Sequence, residues 1–375
     1  MASDKYQICN RCIMDTTDPE IKFDDNGNCN HCNSALELAK KTWFPDENGE
    51  KILNKIFDTI KEEEREKEFD CIVGLSGGVD SSYLAYLTVK KGLRPLVVHV
   101  DCGWNSEQAV KNIETIVKKL NIELHTFVVN WEEMKDLQRS FFKASLPEQD
   151  IPQDHAIFAA LYNFADKNNI KYVLNGYNFA TESILPRAWG FQAMDYRHLK
   201  SIHKKFGEKE LRDFPHLNFF QRYIYFTLIK KMSIIYPLNY INYRKSDAIQ
   251  LLNRDLGWQY YGGKHYESRF TKFFQSYYLP IKFNFDKRRA HLSSLIISGQ
   301  ITRNDALNMM MEEMYSDDEI AYDLEYVAKK LDWSVQEFKN IIDLPACRHL
   351  DFPSNDNLFR FGIKSKIFLK YFSWK

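Results

Sequence analysis

Between residues 69 and 175, short apolar runs alternate with longer segments in which apolar positions recur with a helical period. Short apolar runs rich in β-branched residues predict buried strands, and longer periodic segments predict helices. The pattern predicts four strands, at 69–75, 95–100, 122–129 and 171–175, and helices at 83–91, 107–120 and 155–168. Such alternation is typical of an α/β, doubly wound parallel sheet, which binds ligands at the carboxyl ends of its strands.

The chain beyond residue 240 is mostly helical in pattern. Polar residues precede three amphipathic segments, which predict helices at 302–315, 317–331 and 334–342. A length of 375 residues favours more than one domain. We therefore predict an N-terminal module at 1–45, an α/β domain at 46–240, and a helical C-terminal region at 241–375 that completes the substrate site.

Composition and charge exclude several classes of protein. The chain has 51 Lys and Arg against 51 Asp and Glu, so bulk charge does not favour nucleic acid, and no nucleic-acid partner is expected. No apolar run approaches the roughly 18 residues of a membrane span, and residues 1–10 have no signal core, so we expect a cytoplasmic protein. Aromatic residues, at 15%, crowd between residues 219 and 285, where core packing is the default explanation.

Four of the seven cysteines form two C-x-x-C pairs near the N-terminus, namely Cys9, Cys12, Cys29 and Cys32. This spacing is typical of a structural zinc site, because each pair directs two thiolates at one tetrahedral ion. Four protein ligands leave no open coordination position, so the Zn²⁺ would hold the fold. The alternatives are two disulfides, free thiols, an iron–sulfur cluster, or His31 in place of one cysteine.

The first predicted strand runs directly into a glycine-rich turn and a helix. The turn comprises Ser76, Gly77, Gly78, Val79, Asp80, Ser81 and Ser82. Strand, glycine-rich turn and helix together point backbone N–H groups at an anion, which predicts a phosphate site. Asp80 would repel a bare phosphate, so it is interpreted as a Mg²⁺ ligand. The turn lacks the lysine of a Walker A loop. A serine-capped strand–helix turn is the structural alternative.

This turn, S-G-G-V-D-S-S, resembles the signature of the PP-loop, or N-type ATP pyrophosphatase, superfamily. The resemblance implies an adenine nucleotide α-hydrolase-like fold in which residues 76–82 hold pyrophosphate and Mg²⁺. It also implies that Val100 and Asp101 face the adenosine of ATP. The stretch containing Gly176, Asn178 and Glu182 is similar to a polar loop after the fourth strand of that superfamily.

The order of motifs along nearly the whole chain resembles the N-acetyl sugar amidotransferases of lipopolysaccharide and related surface-glycan biosynthesis. The cysteine pairs, SGGVDSSY, NGYNFATES and the C-terminal segment KHYESRFTKFFQ…DKRRAHLSSLI carry this resemblance. It implies an AMP-forming amidotransferase, a C–N ligase, that activates the acetamido oxygen of a UDP- or CMP-linked sugar with ATP. Ammonia then replaces the oxygen to give an acetamidino group.

The resemblance also implies that ammonia comes from a separate glutaminase subunit through a channel-forming, cyclase-like subunit. Residue 2 is alanine, so an N-terminal cysteine glutaminase is absent. The surroundings of Cys102 do not form the G-x-C-x-G elbow of a triad glutaminase. We therefore expect these two partners beside the nucleotide-linked sugar.

Basic residues of the C-terminal segment are candidates for binding phosphate or sugar nucleotide. The substrate-binding candidates are Lys264, His265, Arg269, Lys287 and Arg288, and the catalytic candidates are Ser76, Asp80, Lys264 and Arg269. Solvated helix faces are an equally good explanation for any one of the cations.

Two other functions fit parts of the sequence. PP-loop enzymes that thiolate tRNA also carry zinc knuckles, but they need redox-active cysteines, and Cys71, Cys102 and Cys347 form no C-x-x-C pair. A zinc-bearing adaptor with a degenerate nucleotide fold has no reason to keep an intact phosphate loop. The sequence therefore favours the amidotransferase, with tRNA thiolation as the alternative.

Overall fold

The computed structural model describes residues 6–359. Residues 1–5 of the predicted N-terminal module and 360–375 of the predicted C-terminal region lie outside this range. Within it, no helix is both long enough and apolar enough to cross a membrane.

A five-stranded parallel sheet forms the centre of the molecule, in the order β3-β2-β1-β4-β5. The strands are β1 (Cys71–Gly74), β2 (Pro95–Asp101), β3 (Leu124–Val128), β4 (Tyr172–Leu174) and β5 (Ser233–Ile235). The sequence predicted the first four strands and missed β5. The order reverses beside β1, since β2 pairs on one side of it and β4 on the other. Ligands bind at such a switch point, and the glycine-rich turn follows β1.

Helices cover both faces of the sheet. The helices between residues 30 and 256 are α1 (Asn30–Thr42), α2 (Glu47–Glu63), α3 (Val79–Lys90), α4 (Glu107–Leu120), α5 (Trp131–Lys143), α6 (Ile151–Lys167), α7 (Phe179–Glu182), α8 (Tyr196–Phe206) and α9 (Lys245–Leu256). Of these, α1 packs on the C-terminal helices and not on the sheet. One face packs Ile72, Val98 and Val173 against α5, α6 and α8. The other packs Val73 and Val97 against α2, α3, α4 and α9. Neighbouring strand residues point to opposite faces, so both sides of the sheet are buried, as a parallel sheet requires.

The rest of the C-terminal region is helical, as predicted. Its helices are α10 (Arg269–Phe273), α11 (Leu279–Phe283), α12 (Lys287–Ile297), α13 (Arg303–Met311), α14 (Asp317–Lys330) and α15 (Val335–Ile342). A π-helical segment, Phe274–Tyr278, joins α10 to α11, and a second, Gln221–Ile229, precedes β5. Serine caps with glutamate partners begin α14 and α15, which explains why their starts could be read from the sequence.

The N-terminal module and the C-terminal helices share one hydrophobic core. The four N-terminal cysteines belong to the same buried cluster as Phe270, Phe273, Phe274 and Tyr278. These four rings are fully buried, so core packing accounts for a large part of the aromatic excess. Helix α9 lies beyond the predicted boundary at residue 240 but packs on α3 of the α/β domain.

Candidate functional site

The glycine-rich turn leaves β1 at the switch point and is held tightly by its neighbours. Gly77 has φ +80°, and a Cβ there would lie 2.5 Å from the Ala109 carbonyl oxygen, so no larger residue fits. The Ser76 hydroxyl accepts a hydrogen bond from Gly78 N at 3.2 Å and lies 3.1 Å from the Ser81 hydroxyl. Gly78 caps α3 without a side-chain hydrogen bond, so the Asp80 and Ser81 N–H groups of the first turn remain available to an anion.

Asp80 lies in the first turn of α3 and is the acid of the phosphate loop. The Tyr243 hydroxyl donates a hydrogen bond to Asp80 Oδ1. Burial raises the pKa of Asp80, and the neighbouring Lys264 ammonium opposes the rise. Oxygen ligands such as this carboxylate suit Mg²⁺, so the residues present fit the predicted ion.

Two lysines face Asp80 from outside the turn. Lys264 Nζ forms an ion pair with Glu182 at 2.9 Å and donates to the Thr181 carbonyl oxygen at 3.0 Å. Burial lowers the pKa of Lys245, and the nearby Lys264 lowers it further. The structure therefore brings predicted Lys264 and Glu182 together beside the phosphate loop and adds Lys245, which the sequence analysis missed.

The segment of residues 258–267 closes over the phosphate loop. Trp258 Nε1 donates to the Gly77 carbonyl oxygen at 3.0 Å, and Val79 N donates to the Tyr261 hydroxyl at 3.2 Å. A Cβ on Gly78 would lie 3.0 Å from Glu267 Oε1. The loop and this segment therefore form one continuous site.

Three acids near Lys287 and His265 form a group that we call the acid cluster: Glu148, Asp150 and Asp154. Lys287, a predicted substrate-binding residue, pairs with Glu148 at 2.7 Å, and both side chains are almost fully buried. Burial, and after it the charge of Glu148, raises the pKa of Asp154 to about 7. Burial and then Asp154 raise the pKa of Asp150 well above its usual value.

Two histidines lie between the acid cluster and the phosphate loop. The rings of His265 and His291 have centroids 5.6 Å apart, and His265 Nδ1 lies 3.7 Å from Glu267 Oε1. Burial, followed by the charges of Lys264 and His265, lowers the pKa of His291 well below its usual value. A neutral imidazole can both donate and accept a hydrogen bond, so His291 suits a polar, uncharged ligand.

Other residues predicted to bind the cofactor have structural contacts. Asn178 caps α7, its Oδ1 accepting from Thr181 N at 3.0 Å. Asp101 Oδ1 accepts from Gly103 N at 2.7 Å and from Asn105 Nδ2 at 3.0 Å. The side chain of Ser82 is fully buried. Gly176 lies close to the phosphate loop, since a Cβ on it would be 3.3 Å from Ser81 N. These residues lie at the predicted edge of the sheet, and their roles toward ATP stay predictions.

The structure does not bring Arg269 and Arg288 into this group. The Arg269 guanidinium pairs with Asp323 and lies 3.6 Å from the centroid of the Tyr326 ring. Arg288 pairs with Asp286 at 2.8 Å and donates to the Glu312 carbonyl oxygen at 2.7 Å. Both arginines connect C-terminal helices, so neither lies on the solvated helix face given as the alternative, and their proposed role toward the substrate stays a prediction.

The four N-terminal cysteines converge on one point. Their sulfur atoms all lie within 4.8 Å of one another, and among residues 6–359 this is the only His, Cys, Asp or Glu group close enough to hold a metal ion. The Cys9–Cys32 and Cys12–Cys29 sulfur distances are 3.7 and 3.5 Å, near the ~3.8 Å edge of a tetrahedral zinc–thiolate site. Disulfides would need about 2.05 Å. His31 is paired with Asp18 at 2.5 Å and is not in the cluster.

Arginines hold this cysteine module on the C-terminal helices. Arg303 donates to the carbonyl oxygens of Cys9 and Cys12 at 2.9 and 3.0 Å, and Arg289 donates to that of Ile13 at 3.0 Å. The cysteine cluster therefore supports the region that carries Lys287 and His291.

Sequence reasoning missed Tyr243 and Lys245 for an identifiable reason. They follow β5, a three-residue strand at the edge of the sheet that the apolar pattern did not predict. Had β5 been recognised, the polar residues after it would have been candidates under the same strand-end rule that selected Asp101.

The sequence matches two protein-family models. Residues 52–215 match the NAD synthase family, and residues 267–366 match "LPS biosynthesis protein WbpG-like, C-terminal domain". The first match and the parallel sheet confirm the predicted fold class. The second confirms the resemblance that the C-terminal segment carried.

Individual relatives cover only parts of the chain. The NH(3)-dependent NAD(+) synthetase of Pyrococcus furiosus is 23% identical over 159 residues, 42% of this chain and 60% of the relative. The tRNA-specific 2-thiouridylase MnmA 2 of Fusobacterium nucleatum is 30% identical over 120 residues, 30% of this chain and 34% of the relative. The NMN synthetase structure from Francisella tularensis is 23% identical, covers 35% of this chain and 54% of that chain, and has a TM-score of 0.29.

Proposed function

We propose that the chain is an amidotransferase-like PP-loop protein of lipopolysaccharide biosynthesis, and that it converts the acetamido group of a nucleotide-linked sugar to an acetamidino group. The observation that carries this proposal is the closure of residues 258–267 over the phosphate loop. The acceptor sugar would bind between this segment, which carries Lys264, and the acid cluster. The nucleotide handle would be UDP or CMP.

The reaction needs an activated oxygen, because an amide oxygen leaves poorly. The amide oxygen attacks the α-phosphorus of ATP, the O–P bond to pyrophosphate breaks, and an imidate linked to AMP forms. Ammonia adds to the imidate carbon, the new nitrogen loses a proton, and the C–O bond to AMP breaks. Atoms balance as ATP, amide and ammonia giving AMP, pyrophosphate and amidine.

The chain's own residues supply position and charge for these steps. The α3 N-terminus and the Ser76 hydroxyl bind the leaving pyrophosphate, and Lys245 and Lys264 place positive charge opposite it. Asp80 would hold a Mg²⁺ ion, which neutralises phosphate charge when bound. Asp154 takes the proton from the attacking nitrogen, since a carboxylate titrating near neutrality is suited to that task.

Incubation with ATP, Mg²⁺, ammonium and UDP- or CMP-linked acetamido sugars tests the proposal. We expect AMP, pyrophosphate and a sugar product one mass unit lighter, because NH replaces O. Glutamine should support turnover only when a glutaminase and a channel-forming subunit are added. Turnover with glutamine by the purified chain would contradict the separate glutaminase.

The tRNA-thiolating alternative rests on the similarity to the thiouridylase over 120 residues. Burial raises the pKa of both the Cys71 and the Cys102 thiols well above their usual values, so neither is poised to form a reactive thiolate. AMP formation that requires tRNA and a sulfur donor, with no reaction of any acetamido sugar, would replace our proposal by this alternative.

The titration of Asp154 predicts a pH-dependent stability. Its pKa rises from 3.8 to about 7 on folding, so the folded state binds the proton more tightly and the free energy of unfolding falls as pH rises through this window. Asp154→Asn should therefore raise Tm near pH 8 and change it little near pH 4. Asp58 is exposed, so Asp58→Asn serves as the control and should leave the pH profile of Tm unchanged.

Thermal unfolding at several pH values measures this effect, and equal pH profiles for Asp154→Asn and the wild type would contradict it. Activity should show the opposite dependence. The proposed proton acceptor must be ionised, so we expect wild-type turnover to fall below about pH 7.

A further inference from the structure

The loop between β2 and α4, residues 102–106, is held by the C-terminal region at four consecutive positions. Lys330 Nζ donates to the Gly103 carbonyl oxygen, and Arg269 N donates to that of Trp104 at 2.9 Å. Asn105 bridges to Ser268, and Ser106 N donates to the Glu267 carbonyl oxygen at 2.8 Å. The conformation of this loop therefore depends on residues far along the chain.

Lys330, the last residue of α14, makes the longest-range of these contacts. Its ammonium lies 4.6 and 4.8 Å from the ring centroids of Trp104 and Trp131, and 5.6 Å from that of Tyr326. Cations bind aromatic faces at such distances, more strongly where water is excluded. Trp104 is buried and Lys330 is half-buried, so aromatic rings surround the ammonium. These rings hold the ammonium in the position from which it donates to the Gly103 carbonyl oxygen.

Both backbone polar groups of Gly103, the N–H and the carbonyl, are hydrogen-bonded. Its N–H donates to Asp101 Oδ1 at 2.7 Å, while its carbonyl accepts from Lys330. Its φ is +85°, and a Cβ would lie 2.8 Å from the Trp131 ring. Because Asp101 is the last residue of β2, the Lys330 contact sets the backbone at the carboxyl end of that strand.

We propose that Lys330 is a positioning residue for ATP, which fixes the carboxyl end of β2 where the adenosine binds. The inference rests on the proposed function for the identity of the ligand. Lys330 lies in the segment that matches the WbpG-like domain, whereas β2 lies in the segment that matches NAD synthase. ATP affinity would thus depend on docking of the C-terminal helices, which also carry the proposed acceptor site.

Titration calorimetry with Mg²⁺ and α,β-methylene-ATP tests the role of Lys330 in binding. Lys330→Met should weaken binding about fivefold, equivalent to ~1 kcal/mol, because the loop loses its cation and its donor. Lys330→Arg keeps both and should stay within about twofold of the wild type. Lys329→Met, at the exposed neighbour, should bind like the wild type.

Should Lys330→Met fail to fold, Lys330→Gln takes its place, since it keeps a donor for the Gly103 carbonyl and loses the charge. Affinity equal to the wild type in the folded variant would overturn the inference while leaving the proposed function intact. A wild-type chain that does not bind the ATP analogue would refute both. A merely structural lysine would lower Tm in the Met variant without changing the analogue's Kd.

Discussion

Replacing Asp80 by Asn should reduce ATP-dependent AMP formation at least about a hundredfold, roughly 3 kcal/mol of transition-state stabilisation. The carboxylate lies in the first turn of α3, at the switch point of the sheet and within the phosphate loop. Asn keeps an oxygen that accepts from the Tyr243 hydroxyl but loses the charge that would bind Mg²⁺.

The thermal stability of the Asp80→Asn variant should not fall along with its activity. Burial raises the pKa of Asp80, so the ionised form weakens the fold at neutral pH, and the neutral Asn should not lower Tm there. Asp247→Asn is a matched control, since Asp247 also lies in the first turn of a helix, α9, but is exposed. Pyrophosphate release by a coupled assay and Tm by calorimetry measure the two effects. Full turnover by Asp80→Asn would show that Asp80 is not the Mg²⁺ ligand.

Replacing Cys12 by Ser should remove bound zinc and lower the free energy of unfolding by more than about 4 kcal/mol. The four sulfurs are buried and share a core with the C-terminal helices, so loss of the metal leaves both the module and its docking face unsupported. The damage should extend to the acceptor site, because Arg289 holds the module from the same helix that carries Lys287 and His291.

Cys347→Ser is the control for that experiment. Cys347 is half-buried, and its sulfur lies 3.9 Å from the Pro345 carbonyl oxygen, away from the cluster. Metal content measured by mass spectrometry and urea unfolding compare the two variants. Zinc content and unfolding midpoint unchanged in Cys12→Ser would contradict the structural zinc site, and iron with visible absorbance would indicate the cluster alternative.

Parts of the fold could be predicted because their signals are local. Helix α4 was predicted with its observed limits, since Ser106 caps it and an amphipathic face follows. Strands β4 and β5 both have three residues, but β5 closely follows the apolar π-helical segment Gln221–Ile229, and the apolar pattern did not separate the two. Helix α5 was missed although its buried face is long. Tertiary packing stabilises both β5 and α5, and the residues that provide this packing are far apart in the sequence.

The candidate site also contains residues that a local motif predicts and residues that only the fold brings together. The phosphate loop is contiguous, so residues 76–82 could be identified from one motif. Tyr243 and Lys245 lie at the start of α9, far along the chain from Asp80, and only the fold brings them near it. Arg269 and Arg288 were selected for their charge, but Asp323 and Tyr326 hold Arg269, and Asp286 holds Arg288.

The contact between Arg303 and Cys9 has a consequence for synthesis of the chain. The two residues are separated by 294 positions. At 5 to 20 residues per second, the cysteines wait roughly 15 to 60 s before the arginine that covers them is made. During that interval the thiols are open to metal capture and to oxidation. Zinc supply and thiol redox state at translation, rather than ATP or sugar levels, would then decide how much of the newly made protein matures.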